Sequence, residues 1–121
     1  MTDTNSGAER GHLIVTRAVS GGIGVVTASG EIDHESVGQL REALLPGGAP
    51  EPGRVVLDLG AVTFMDSSGI NVLVAAYHAL KDTQGWLRLA RTPAPVLRII
   101  ELVSLDTVLG CYPTVEEAAT A

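Results

Sequence analysis

Val55-Val56-Leu57-Asp58-Leu59 begins the segment VVLDLGAVTFMDSSGINVLVAAYHALKD, residues 55–82, where a short apolar run gives way to a long helical pattern. The run scarcely alternates, as expected of a strand covered on both faces. Phe64-Met65-Asp66 leads into a helix predicted to begin near Ser67 and to reach about Asp82, with Gln84-Gly85 as its breaker. Ile70, Leu73, Val74, Tyr77 and Leu80 recur at helical spacing and predict its core stripe. A doubly covered strand that passes directly into a helix is the building unit of an α/β fold.

The flanks repeat the unit. Downstream, Trp86-Leu87-Arg88-Leu89-Ala90 is the next predicted strand, and Thr92 before Pro93 reads as a cap with proline at the first helical position. Val96, Ile99, Ile100 and Val103 give that helix its buried stripe, and Val108 to Cys111 suggests a last short strand. Thr114 and Glu117 stand three apart, the spacing of a capping box, before a short terminal helix. Upstream, Asp33 is suited to cap a helix carrying Val37, Leu40 and Leu44, which Pro46-Gly47-Gly48 ends. His12 to Val19 and Ile23 to Ala28 read as two strands joined at Ser20-Gly21-Gly22, a hairpin. Residues 1–11 are small and polar and predict a flexible tail, and PGGAPEPG (46–53) is too short to act as a linker between domains. The expectation is one α/β domain over residues 12–121. Its sheet is mixed and four- to five-stranded, with an N-terminal β-hairpin and about four helices.

Composition narrows the function classes. The 121 residues are 45% apolar and 18% charged, enough to bury one core. A net charge of −6 argues against binding a phosphate backbone, so no direct nucleic acid contact is expected. The single cysteine, Cys111, excludes an internal disulfide and a cysteine-rich metal site. No apolar run approaches the ~20 residues that cross a bilayer, and the start MTDTNSGAERG does not resemble a signal peptide. A cytoplasmic protein without a membrane segment is expected.

Asp66-Ser67-Ser68-Gly69 is the most unusual segment for chemistry. Asp, Ser and Gly are ordinary capping residues, which explains the segment without function. The same helix start also suits an anion, including one attached to serine, because its N–H groups and dipole favour negative charge. Beyond the core stripe, Val72, Ala75, Ala76 and Ala79 make most of the remaining helix surface apolar, a pattern that fits cover by a partner. Asp33, Asp58 and Asp66 read as caps and a strand-edge residue rather than a metal site, and no metal or cofactor is expected. Gly22-Ile23-Gly24 lacks the rest of a dinucleotide fingerprint, and no P-loop is present. A hydrolase built on Ser67 with His34 as base lacks the G-x-S-x-G elbow, so an enzyme is not expected.

Three segments together, Gly30-Glu31-Ile32-Asp33, Val56-Leu57-Asp58-Leu59 and Phe64-Met65-Asp66-Ser67-Ser68-Gly69, resemble the STAS domain, the sulfate-transporter and anti-sigma-antagonist module, over roughly residues 12–120. The likeness is strongest to its bacterial stand-alone form, the anti-sigma factor antagonist. The resemblance implies the STAS fold and a partner switch. In that family the unphosphorylated antagonist binds an anti-sigma factor that is also a serine kinase, which frees a sigma factor. Phosphorylation of the first serine of D-S-S-G, here Ser67, dissociates the complex, and a serine phosphatase reverses it. Asp33, Asp66, Ser68 and Gly69 are then expected to support the site. Glu31, His34, Asn71, Val72, Ala75, Ala76 and Ala79 are expected to form the contact surface.

Two positions depart from the family pattern. Asn71 stands where glycine is common, and Ser104 stands where glycine usually follows the third helix. A left-handed position there costs a non-glycine residue about 1 kcal/mol. An alternative role on the same fold is a regulatory subunit that docks permanently on a transporter or another partner, with Ser67 never modified.

Overall fold

A computed structural model describes residues 12–45 and 53–121. The expected tail (1–11) and the helix-ending Pro46-Gly47-Gly48 lie outside the described residues.

Leu13–Ser20 (β1) and Ile23–Ile32 (β2) form the hairpin, in register from Ser20 opposite Ile23 to Leu13 opposite Gly30. Its two-residue turn places Gly21 at φ +59° and Gly22 at φ +79°, left-handed at both positions as a tight hairpin turn requires. Val37–Leu44 (α1) then carries the chain to Arg54–Met65 (β3), which runs parallel to β2. Ser67–Asp82 (α2) returns it to Trp86–Ala90 (β4), parallel to β3. Ala94–Leu102 (α3) and a 3-10 turn at Leu105–Thr107 precede Cys111–Tyr112 (β5), parallel to β4, and Val115–Thr120 (α4) ends the chain. Strand order in the sheet follows chain order, β1-β2-β3-β4-β5. Each parallel neighbour is reached through a helix, because a tight turn cannot join parallel strands.

Burial follows the pleat. Val55, Leu57 and Leu59 of β3 join Leu40 and Leu44 of α1 and Leu73 and Leu80 of α2 in the main core, to which Val96 and Ile100 of α3 also belong. Val56 points to the opposite face, where it packs with Ala90 under Ala118 of α4.

Several local expectations are corrected. β2 and β3 are longer than their apolar runs, since residues 29–32 pair with residues 61–65 after register shifts between Thr27 and Ser29 and between Gly30 and Glu31. Bulges of this kind let a strand continue past residues that look like breakers. At Gly30, φ is +113° and an added Cβ would run into the His12 carbonyl oxygen, so only glycine fits. α3 begins after Pro93, and the Thr92 hydroxyl is buried without a hydrogen bond rather than capping the helix. The last strand is the pair Cys111–Tyr112, because a 3-10 turn takes up the preceding residues. Thr114 does cap α4, accepting from the Glu117 N–H at 3.0 Å. Ser104 adopts φ +61°, the left-handed conformation that glycine would take without strain.

The stripe of α2 is rotated from its expected position. Gly69, Val72, Leu73, Ala76 and Leu80 are its buried residues, while Ile70, Val74 and Tyr77 are only half-buried. Small residues at 69 and 76 let the helix lie close to the sheet, and that draws Val72 inward. Val72 and Ala76, expected on the contact surface, are 1% and 0% exposed and belong to the core. A partner cannot reach them in the folded domain.

Candidate functional site

β2 and β3 end side by side, and their last rungs build the site. Ile32 pairs with Met65, and the Asp66 N–H donates to the Ile32 carbonyl at 3.1 Å. The turn after β2 and the start of α2 therefore meet at one end of the sheet, and this brings the Asp33 loop to the D-S-S-G segment.

Asp66 is the N-cap of α2. Its backbone is extended, and its Oδ1 accepts the Ser68 N–H at 2.8 Å, satisfying one of the amides that the first helical turn leaves open. Its carbonyl accepts from the Gly69 N–H at 3.1 Å, which closes the first turn. Ser67 follows as the first helical residue and is exposed, whereas Ser68 is half-buried. Among the described residues no hydrogen bond ties down the Ser67 hydroxyl. The segment thus holds one serine main chain with a carboxylate and presents the other side chain to solvent. A negative group on Ser67 would sit at the positive end of a 16-residue helix.

Gly69 explains why the helix starts so close to the sheet. A Cβ at this position would lie 2.6 Å from Met65 Cγ and 2.9 Å from Ile32 Cγ2. Its missing side chain is what lets α2 rest on the last rung of β2 and β3. Ser68 and Gly69 therefore shape the start of α2 through backbone position.

Asp33 organises the neighbouring turn instead of capping α1 directly. Its Oδ1 accepts the Glu35 and Ser36 N–H groups, each at 3.0 Å. Buried Ser36 answers by accepting the Asp33 N–H at 3.0 Å and donating its hydroxyl to the Glu31 carbonyl at 2.8 Å. The Ser36 amide above all, then its hydroxyl, the Glu35 amide and nearby His34, hold the Asp33 carboxyl below the usual carboxylate range against a partial desolvation that opposes them. The loop is thereby fixed with a negative charge beside the start of α2.

Of the expected contact residues, His34, Asn71 and Ala79 are exposed, and Glu31 and Ala75 are half-buried. Sequence reading missed Phe64. It pairs in register with Glu31 on the last rungs and remains 48% exposed, an unusual position for an aromatic residue at a strand end. The signal was present as a large apolar residue just before Met65, whose side chain takes the buried face. The three aspartates weighed as a metal set are engaged separately. Asp58 accepts the Gly60 N–H at 2.9 Å and pairs with Arg91 at 3.2 Å, while Asp33 and Asp66 hold main-chain amides.

Comparison with known proteins adds an independent line. The model of the STAS domain matches residues 15–118. The anti-sigma-F factor antagonist RsfB of Mycobacterium tuberculosis is 32% identical over 108 residues, covering 89% of this chain and 88% of its own. The anti-sigma-B factor antagonist of Bacillus subtilis is 31% identical over 84 residues, 69% of this chain and 76% of its own. Among solved structures, an anti-sigma factor antagonist from Mycobacterium paratuberculosis superposes with a TM-score of 0.78 at 32% identity, covering 89% of this chain and 92% of that one. These relatives are named as anti-sigma factor antagonists, and no helix of the described residues is long and apolar enough to cross a membrane. The hairpin, the bulged pairing of G-E-I-D with F-M-D and the glycine-seated helix after D-S-S-G, with a family match over nearly the whole length, place this chain in the STAS domain family.

Proposed function

We propose that this protein is an anti-sigma factor antagonist. Its unphosphorylated form binds an anti-sigma factor serine kinase to release a sigma factor, and phosphorylation of Ser67 switches the binding off. The observation that carries the reading is the contrast within D-S-S-G: Ser67 is exposed at the first helical position, while the Ser68 amide is held by Asp66. The likeness to proteins named anti-sigma factor antagonists supports it. The contact surface combines Glu31 at the end of β2 and the Asp33 loop with His34, and adds Asn71, Ala75 and Ala79 of α2; exposed Phe64 pairs with Glu31 at its border. The kinase provides the nucleotide and the base, so Ser67 needs exposure and orientation alone. A serine phosphatase resets the switch.

Release is local. A phosphoryl group adds about −1.5 to −2 charges at neutral pH. A partner carboxylate held ~5 Å away repels each added charge by roughly 3 kcal/mol at an effective dielectric near 20. If half of that survives screening, binding weakens about tenfold from one charge alone. The helix itself tolerates the phosphate, since its N-terminus favours an anion.

The test uses capture of the cognate kinase by wild type, Ser67→Ala and Ser67→Asp chains. Ser67→Ala should bind as wild type does and stay bound with ATP present, while Ser67→Asp should bind at least tenfold more weakly. Equal binding of all three, or stable co-purification with a membrane transporter component that ATP leaves intact, would favour permanent docking and overturn the switch.

A further inference from the structure

The two edges of the sheet are built differently. β5 offers two residues, whereas β1 holds eight in unbroken register with β2, from Leu13 to Ser20. Among the described residues nothing pairs with the far side of β1. A long edge is ordinarily blunted by proline, a bulge or an outward charge. β1 has no proline and no bulge. Its one charged residue, Arg17, is folded back over the sheet. The guanidinium packs where a Cβ on Gly24 would stand, and its Nη1 donates to the Ala43 carbonyl of α1 at 2.8 Å.

Two contacts fix which main-chain groups this edge offers. The His12 carbonyl accepts from the Glu31 N–H at 3.1 Å, and the two-residue turn closes on Ser20 opposite Ile23. Even-numbered residues of β1 therefore bond inward to β2, and alternation points the N–H and carbonyl of Leu13, Val15, Arg17 and Val19 outward. Leu13 is 3% exposed, so its end of the edge is closed. Val15 and Arg17 are half-buried, while Thr16, Ala18, Val19 and Ser20 are exposed, Val19 at 66%. The open edge runs from Val15 to Ser20. Charge points to its occupant. The chain carries −6, yet residues 13–29 contain no aspartate or glutamate. Two copies, which repel each other through their acidic surfaces, meet without that repulsion along this hairpin.

We infer that β1 is a self-association edge, which pairs antiparallel with β1 of a second copy and continues the sheet across a twofold axis. The inference does not depend on the switch at Ser67. An axis normal to the sheet sets each residue opposite one on the same face, so odd positions meet odd and even meet even. An axis at Arg17 brings two like charges face to face. An axis at Thr16 needs the closed Leu13 opposite Val19 of the second copy. An axis at Ala18 uses open residues alone. There Arg17 exchanges both main-chain bonds with Val19 of the second copy, and Val19 does the same with Arg17. Thr16 faces Ser20, and the two Ala18 side chains meet at the axis. Alanine suits that rung, where the Cα atoms of a pair without hydrogen bonds stand about 4.5 Å apart.

Sedimentation of the full chain over a range of concentrations tests the pairing. Wild type should move from 12.5 kDa toward twice that mass below about 1 mM. Ala18→Lys and Ala18→Glu each set a charge against its own copy at the axis, and each should raise the dissociation constant at least tenfold. An equal mixture of the two variants places opposite charges there and should return association to within threefold of wild type, which also shows that both variants fold. Ala61→Lys changes an exposed alanine on β3 and should alter the constant less than twofold. A wild-type mass that stays at 12.5 kDa up to about 1 mM, a dimer that Ala18→Lys leaves intact, or a mixture no tighter than either variant alone would overturn the inference. So would a monomer that instead takes up the peptide acetyl-Val-Thr-Val-Thr-Val-amide, which would assign the edge to a strand of another protein.

Discussion

Gly69→Ala and Gly38→Ala are the same substitution in two helices, and the structure predicts opposite signs. Alanine is favoured over glycine inside a helix by about 1 kcal/mol, chiefly through the entropy of the unfolded chain. At Gly38 on the exposed side of α1 nothing lies within 4 Å of the added Cβ, so that gain should appear nearly whole. At Gly69 the new carbon would stand 2.6 Å from Met65 Cγ, 2.9 Å from Ile32 Cγ2 and 3.1 Å from Met65 Sδ. Met65 is 1% exposed and Ile32 0% exposed, so neither has free space to yield into. Overpacking of that kind costs about 1–3 kcal/mol, which exceeds the helix gain. The expected net loss is about 1 kcal/mol, with the start of α2 pushed off the last rung and the Ser67 backbone displaced. Urea unfolding followed by Trp86 fluorescence gives both values. Gly38→Ala should raise the midpoint and Gly69→Ala should lower it. If Gly69→Ala proved as stabilising as Gly38→Ala, the close seating of the helix would not govern the site.

Further predictions concern the groups around that seating. Asp66→Ala should lose about 1 kcal/mol, the usual worth of an N-cap, because the Ser68 amide at 2.8 Å is left open, and urea midpoints measure it. For Asp33, folding favours the ionised form; its contribution is therefore present above the usual carboxylate range and is lost as pH falls through the lowered folded value. The stability gap between wild type and Asp33→Asn should accordingly shrink on acidification below about pH 4, and a gap constant with pH would contradict the assignment. Surrounding protein, then the Asp106 and Glu101 carboxylates, push the Cys111 thiol up, so iodoacetamide should modify it more slowly at pH 8 than a free cysteine.

Much of this architecture can be read from local pattern. The apolar run at 55–59, the Gly-Gly turn and the Thr114/Glu117 box each encode their structure within a few residues, and the sheet contains them as expected. What escaped reading depends on contacts distant in sequence. The predicted strands stop at Ala28 and Leu59, yet two bulges carry β2 and β3 onward past Gly30 and Gly60 so that Ile32 pairs with Met65. Helical periodicity leaves the rotation of α2 open, because nearly every position from 69 to 80 is apolar or small. Close packing of Gly69 and Ala76 against the sheet chose Val72 for the interior and left Ile70 and Val74 half-covered. The start of α2 at Ser67 was legible for a simpler reason, since Asp66 before it is a capping residue, whereas the choice of Ser67 over Ser68 as the modified serine came from the resemblance.

The most direct measurement is mass-spectrometric mapping of the residue modified when the purified chain meets ATP and the anti-sigma factor kinase proposed as its partner. A single phosphoryl group confined to Ser67, and no incorporation in Ser67→Ala, is the expected result. Phosphate on Ser68 at an undiminished rate in Ser67→Ala, or none on either serine while the two proteins stay bound, would contradict it.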